Sequence, residues 1–279
     1  MSESMKLSII TINYNNVEGL RKTINSVIAQ TFKDFEWIVI DGGSTDGSKE
    51  LIEQHAEHFT YWVSEPDKGI YNAMNKGIRK ATGEWIQCLN SGDWLYEATT
   101  LEQAFAHELK GDVVYGNAMY VDQQGGLHKK VDPDEIGLSF FYTLTICHQA
   151  TFIRRELFAD SLYEECYRIA SDWAKWFEWM LAGKRFTHLN QYIVYFDMGG
   201  IGTVENRTAE HLQERAAIIE RYVPYHVRLD MDKIVNAEAQ WGFLLRRKTF
   251  RRWPQRFYRF SKFVDDQLCK IEARRRRSR

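Results

Sequence analysis

Four prolines in 279 residues, no Cys-x-x-Cys pair and no long apolar run mark what this chain is not. Scarce proline, with 14% aromatic side chains, excludes a disordered or fibrous chain. The four cysteines, Cys88, Cys147, Cys166 and Cys269, lie scattered. That excludes a cysteine metal site or a disulfide framework and implies a reduced, cytosolic protein. The longest weakly polar stretch, Ile136 to Cys147, falls short of the roughly 20 residues a membrane helix needs. The opening Met1-Ser-Glu-Ser-Met5-Lys-Leu7 lacks the basic and apolar regions of a signal peptide. Two nucleotide signatures are also missing. No GxGxxG follows the first apolar run, and Gly42 to Lys49 reads G-x-x-x-x-G-S-K, with Ser and Lys reversed relative to a Walker A loop.

Charge is present but unevenly spread. Residues 246–279 carry 14 Lys/Arg against 3 Asp/Glu, which leaves 23 against 35 in residues 1–245. An acidic body with a basic tail follows. The body would oppose nucleic acid, whereas the tail, interleaving Arg256, Arg259 and Lys262 with Phe257, Tyr258 and Phe260, suits an anionic membrane surface.

The first half alternates short β-branched runs with helix-period stretches. Leu7–Ile12, Trp37–Ile40, Thr60–Val63 and Trp85–Leu89 read as strands. Val17, Leu20, Ile24, Val27 and Ile28 recur at helical spacing, as do Ile70, Ala73, Met74, Gly77, Ile78 and Ala81. Such alternation predicts right-handed βαβ units and a largely parallel sheet. From residue 112 short strands at 113–115, 118–121 and 127–131 suggest an antiparallel extension. Residues 151–185, 205–222 and 232–250 read as helical, and 254–277 as a basic helical tail.

In an open parallel sheet, ligands gather at the carboxyl ends of the strands. Three ends here are unusually polar: Thr11-Ile-Asn13-Tyr14, Asp41-Gly-Gly and Asn90-Ser-Gly92-Asp93. Asp41 equally serves as a turn former before Gly-Gly. Asp93 can cap the following helix or hold a divalent ion that bridges two phosphates. Asp172 sits where a helix dipole welcomes a carboxylate, and His148 suits an interior hydrogen-bonded group as well as a site.

Taken together, these ends resemble a known family. The run Ser8-Ile-Ile-Thr-Ile-Asn13-Tyr-Asn15, Val39-Ile-Asp41-Gly-Gly-Ser-Thr-Asp-Gly47, Glu65-Pro-Asp-Lys68-Gly-Ile-Tyr-Asn72-Ala-Met-Asn75-Lys-Gly77, Ala81-Thr-Gly83 and Asn90-Ser-Gly-Asp93 resembles, in order, the opening of family 2 glycosyltransferases. The resemblance implies an α/β GT-A fold with a Rossmann-like, mostly parallel central sheet flanked by helices. It also implies a catalytic domain over 1–204, with a nucleotide-sugar half to about residue 95 and an acceptor half from 96 to 204, and a helical basic extension over 205–279.

The implied roles follow position by position. Thr11, Asn13, Tyr14 and Asp41 match positions that hold the nucleobase, usually uracil. Lys68 matches the approach to the diphosphate, Asn72 and Asn75 share one face of the following helix's first turns as nucleotide-binding candidates, and Asn90 and Gly92 fall on the nucleotide side of the acidic motif. Asp93 matches the ligand of Mn²⁺ or Mg²⁺. The chain departs from the family in having Asn90 and Gly92 where acids are frequent. Asp172, in Ser171-Asp172-Trp173, matches the base of inverting members. His148, Gly199 and Gly200 fall on the acceptor side. The implied reaction is inverting transfer from a nucleotide-sugar, UDP-linked above others, to a saccharide or lipid-linked saccharide. The alternative is a nucleotide-sugar-binding protein with little or no turnover. The implied setting is bacterial polysaccharide assembly, with the protein peripheral at the inner face of the cell membrane.

Overall fold

The computed structural model describes residues 5–200 and 209–245. The chain divides into two units, Met1–Pro224 and Tyr225–Arg279. The first is built on one sheet. Strands β1 (Leu7–Asn13), β2 (Phe35–Asp41), β3 (Tyr61–Ser64) and β4 (Trp85–Cys88) pair in parallel in the order β3-β2-β1-β4. Helices α1 (Val17–Ile28), α2 (Ser48–Gln54) and α3 (Ile70–Lys80) connect them.

Local chemistry explains these elements. Helix α1 starts where the Asn16 side chain accepts the Gly19 backbone N–H, an N-cap bond. Its face of Leu20, Ile24 and Val27 packs into the core with Leu7 and Ile9 of β1 and Trp37 and Val39 of β2. Each fully buried aliphatic side chain stabilises by about 1.5–3 kcal/mol. Helix α3 lies close on β1 because Gly77 has no side chain. A Cβ there would stand 2.4 Å from Ile10 Cγ2.

The sheet continues through β5 (Trp94–Leu95), β6 (Val113–Val121), β7 (Leu127–Lys130), β8 (Thr151–Arg154) and β9 (Phe186–Asp197), with α4 (Thr100–Ala104) and α5 (Leu138–Thr143) between. The expected antiparallel character is present in the β4/β8, β6/β8, β6/β7 and β5/β9 pairs. Strands β6 and β9, however, run parallel. Two segments differ from the sequence reading. The runs at 113–115 and 118–121 are one strand, carried past Gly116 by register shifts against β9; Gly116 suits the crowded spot, since a Cβ would meet Ile193 Cγ1 at 2.4 Å. Residues 151–154 are a strand rather than helix, because they fill the gap between β4 and β6, and the helix expected over 151–185 is confined to Ser171–Leu181, after a short 3₁₀ turn at Arg155–Phe158.

Helix α6 (Ser171–Leu181) follows, buried through Trp173, Trp176, Phe177 and Trp179. Helix α7 (Ala209–Tyr222) packs on α6 within the same unit. In the second unit, helix α8 spans Tyr225–Leu245. The basic run from residue 246 and the loop at 201–208 lie outside the described residues.

Candidate active site

Because β1 to β4 are parallel, their carboxyl ends open on one edge of the sheet. Asp41 stands there, fully buried. Its Oδ1 accepts Asn13 Nδ2 at 2.8 Å and the Ser44 hydroxyl at 2.5 Å. Its Oδ2 accepts the Ser64 hydroxyl at 2.6 Å and the backbone N–H groups of Gly43 and Ser44 at 3.2 and 2.9 Å. Burial raises the pKa of this carboxyl, but the bonds from Ser44, Ser64 and Asn13 outweigh it, so the net shift is downward. Asp41 is thus an ionised hub that shapes the loop after β2.

Beside that loop, Tyr14 is 64% exposed. Its ring flanks Gly42, where a Cβ would lie 3.2 Å from Tyr14 Cδ2 and 2.6 Å from Asp67 Oδ2. The glycine leaves space between the Tyr14 ring and the Asp67 carboxylate that any side chain would fill. Other expected contacts point elsewhere. Thr11 is buried and accepts the Trp37 indole N–H at 3.0 Å. Asn75 is buried too and braces Tyr163, donating to its carbonyl at 2.8 Å and accepting its N–H at 3.0 Å. Asn72 and Asn75 both donate to Glu165, at 2.9 and 3.1 Å. Lys68 stays exposed at the start of α3.

The Asn90–Asp93 turn hangs on Thr23 of α1. The Thr23 hydroxyl lies 2.7 Å from the Asp93 carbonyl, 3.3 Å from that of Asn90 and 3.2 Å from the Gly92 N–H. Gly92 takes φ +103°, which favours glycine over any residue with a side chain. The Asn90 side-chain oxygen is buried without a hydrogen bond among the described residues.

Asp93 is 5% exposed, and its Oδ1 accepts the Asp197 backbone N–H at 2.9 Å. Burial pushes its pKa up to about 8, and the Asp197 carboxylate adds to the rise against bonds from Asp197 and Gln149. Gly199 and Gly200 fold back onto Asp197, with Gly199 N–H donating to its Oδ1 at 2.8 Å. They therefore belong to the Asp93–Asp197 corner.

Asp172 opens α6. Its Oδ1 accepts the Tyr71 hydroxyl at 2.8 Å and the Trp173 N–H at 2.9 Å, and its Oδ2 is 4.0 Å from His148 Nδ1. Buried His148 meets the Tyr163 hydroxyl through Nε2 at 2.9 Å. Burial lowers the His148 pKa while Asp172 pulls it back up, so the ring is neutral at neutral pH. The short 3₁₀ turn His148–Ala150 touches both corners: His148 Nδ1 faces Asp172 Oδ2 at 4.0 Å, and the next residue, Gln149, acts to lower the Asp93 pKa. From α7, Glu214 accepts the N–H groups of Ile169 and Ala170, each at 3.1 Å. Arg215 stacks 4.1 Å over the Trp173 ring, with Asp172 acting on its charge.

Sequence reasoning missed Thr23, Tyr71, Gln149, Tyr163, Glu165, Asp197 and Glu214. Tyr71 lay inside the quoted Glu65–Gly77 motif, and a threonine on the apolar face of α1 was itself a signal. The others carry no local mark.

A family model described as glycosyl transferase family 2 matches residues 8–162. A PGL/p-HBAD biosynthesis glycosyltransferase of Mycobacterium bovis is 35% identical over 174 residues, covering 60% of this chain and 66% of that relative. An uncharacterized glycosyltransferase of Mycobacterium tuberculosis is 36% identical over 177 residues, covering 62% and 68%. Among solved structures, S. aureus TarS 1-349 in complex with UDP-GlcNAc superposes with a TM-score of 0.65 at 22% identity, over 90% of this chain and 78% of that one. A mannosyltransferase from Pyrobaculum calidifontis, in complex with GDP-Man and Mn²⁺, gives 0.53 at 16%, over 77% and 62%. These structural likenesses show the fold, the GT-A α/β arrangement expected from the sequence.

Proposed function

This chain belongs to glycosyl transferase family 2, and from that premise we propose that it transfers a sugar, with inversion, from a UDP-sugar to a hydroxyl of a saccharide or lipid-linked saccharide. One observation supports the reading above the rest: consecutive residues of one three-residue turn serve both carboxyls, His148 at 4.0 Å from Asp172 Oδ2 and Gln149 acting on Asp93. In-line attack needs the base and the diphosphate site on one crevice. Tyr14 and the Asp41-shaped loop receive the nucleobase, Lys68 approaches the diphosphate, and Asp172 takes the proton of the attacking hydroxyl. UDP is favoured because the TarS structure that shares this fold holds UDP-GlcNAc.

Among the described residues no three His, Cys, Asp or Glu side chains form a metal cage. The donor set fits a cation shared with the substrate, since Mg²⁺ is commonly held by one or two carboxylates plus phosphate oxygens. Asp93 and Asp197 would hold it, and the ion would offset the charge of the departing diphosphate. The Asp93 proton then competes with the cation. Below pH 8 each pH unit lowered should weaken cation binding about tenfold. In the cation-free protein the sign is opposite: Asp93 holds its proton more tightly folded than unfolded, so its ionisation erodes stability as pH rises from about 4 to about 8. The Mn²⁺-dependent rise in melting temperature with UDP present is expected to grow from pH 6.5 to 8.5 and vanish in Asp93→Asn. A rise independent of pH would remove Asp93 from the cation site.

A binding protein with little turnover is the second reading, favoured by Asn90 and Gly92 in place of acids. Purified protein, Mn²⁺ and a panel of UDP- and GDP-sugars separate the two. Transfer or hydrolysis lost in Asp172→Asn supports the enzyme; tight UDP binding with no turnover supports the binder.

The basic run at 246–279 supports attachment to an anionic membrane face, each nearby cation contributing about 1 kcal/mol. No helix among the described residues is long and apolar enough to cross a membrane. Co-sedimentation with phosphatidylglycerol vesicles, weakened by 0.5 M salt, is expected of the full chain. Equal recovery with neutral vesicles would refute the attachment.

A further inference from the structure

Tyr71 has no part in the reading above, yet it stands at its centre. It sits on α3, in the nucleotide half, and reaches the loop that opens α6. Its phenolic oxygen is 2.5 Å from the Ile169 carbonyl and 2.8 Å from Asp172 Oδ1. A phenol carries one proton, so it serves one of these acceptors at a time. Oδ1 also takes the Trp173 N–H. Oδ2 accepts no hydrogen bond from the described residues, and His148 Nδ1 stands 4.0 Å from it. The carboxylate is therefore held by one oxygen and open at the other.

We propose that Tyr71 is the positioning residue of the base: it pins Asp172 through Oδ1, leaves Oδ2 to the acceptor hydroxyl, and turns its proton to the Ile169 carbonyl once the carboxylate is neutralised. The inference rests on Asp172 as base. In the step, the acceptor O–H breaks and its proton passes to Oδ2. The freed oxygen pair forms the bond to the anomeric carbon. The bond from that carbon to the diphosphate breaks, its electron pair leaving with the diphosphate. Nothing is oxidised or reduced, and Asp172 later yields the proton to water. Rotation of one phenolic O–H satisfies both charge states of the site without moving a heavy atom.

The groups acting on Asp172 are Tyr71 from α3, Cys88 at the end of β4, His148 from the 3₁₀ turn, Tyr163 from the loop before α6 and Arg215 from α7. The cysteine and tyrosines are neutral, and burial keeps His148 neutral. The Tyr71 hydroxyl is the side-chain donor to the carboxylate, and Arg215 is the cation it acts on. A bond to a charged acceptor is about twice as strong as one to a neutral acceptor. Removing the phenol therefore disfavours the ionised form more than the acid.

The test is a titration of Asp172 in the full-length protein by carboxyl ¹³C NMR, beside the pH profile of kcat on whichever sugar nucleotide is turned over. In Tyr71→Phe the Asp172 titration and the acid limb of kcat are expected to move up by about one pH unit. Expected with them are a kcat about tenfold lower and a donor KM changed less than about twofold. With 3-fluorotyrosine at position 71, a stronger donor of nearly the same shape, both should move down. That protein decides the matter if Tyr71→Phe does not fold. Unmoved titrations in both proteins overturn the role of Tyr71 and leave the base intact. Full turnover in Asp172→Asn overturns the base itself, whatever Tyr71 does.

Discussion

Asp172→Asn is expected to lower kcat by a factor of about 10²–10⁴ while leaving the UDP-induced thermal shift intact. The asparagine keeps the shape and can still accept from Tyr71 and Trp173, so the start of α6 should hold. It loses only the capacity to take a proton. On the proposed reading, donor binding rests on Asp93 and the Asp41 loop, which the substitution does not touch. A variant that binds UDP normally yet retains more than about a tenth of wild-type kcat would remove Asp172 from the chemistry. The neighbouring His148 is no ready substitute, since burial lowers its pKa and Tyr163 occupies its Nε2.

Asp41→Ala is the second large effect, this time on stability. Five donors converge on that carboxylate: Asn13, the Ser44 hydroxyl and N–H, the Gly43 N–H and the Ser64 hydroxyl. Each donor left buried without a partner costs about 1–3 kcal/mol. Water will reach some of them, so a loss of at least about 3 kcal/mol is expected in urea unfolding, with loss of the UDP-induced thermal shift. The wild-type contribution should also depend on pH. The folded pKa lies below the ordinary value, so the carboxylate's stabilisation is present above about pH 4 and disappears as pH falls through the folded value. A variant as stable as wild type, with UDP binding retained, would reduce Asp41 to a replaceable turn residue.

How far the sequence could be read depended on the range of the interactions. Strands β1 and β2 and helix α1 announce themselves, because β-branched runs, the Asn16 cap and the Leu20/Ile24/Val27 spacing act over a few residues. The strand at Thr151–Arg154 did not. Four residues of mixed polarity, set before a Trp- and Phe-rich helix, become a strand only because β4 and β6 leave a gap. The site divides in the same way. Asp41, Gly92 and Asp93 sit in turns whose glycines are visible in the sequence. Glu214 looks like an ordinary polar residue until tertiary contact gives it the backbone N–H groups of Ile169 and Ala170 to serve. Thr11 shows the converse: a polar residue at a strand end, drawn inward by the Trp37 indole.

Glu214 bears on how the protein can be cut. The backbone that delivers Asp172 receives its caps from a helix some forty residues downstream, so a chain shortened to residue 204 keeps every motif of the transferase family yet loses the brace behind its base. A trimmed version intended for enzymology should run through Pro224, and only what lies beyond is a candidate for removal.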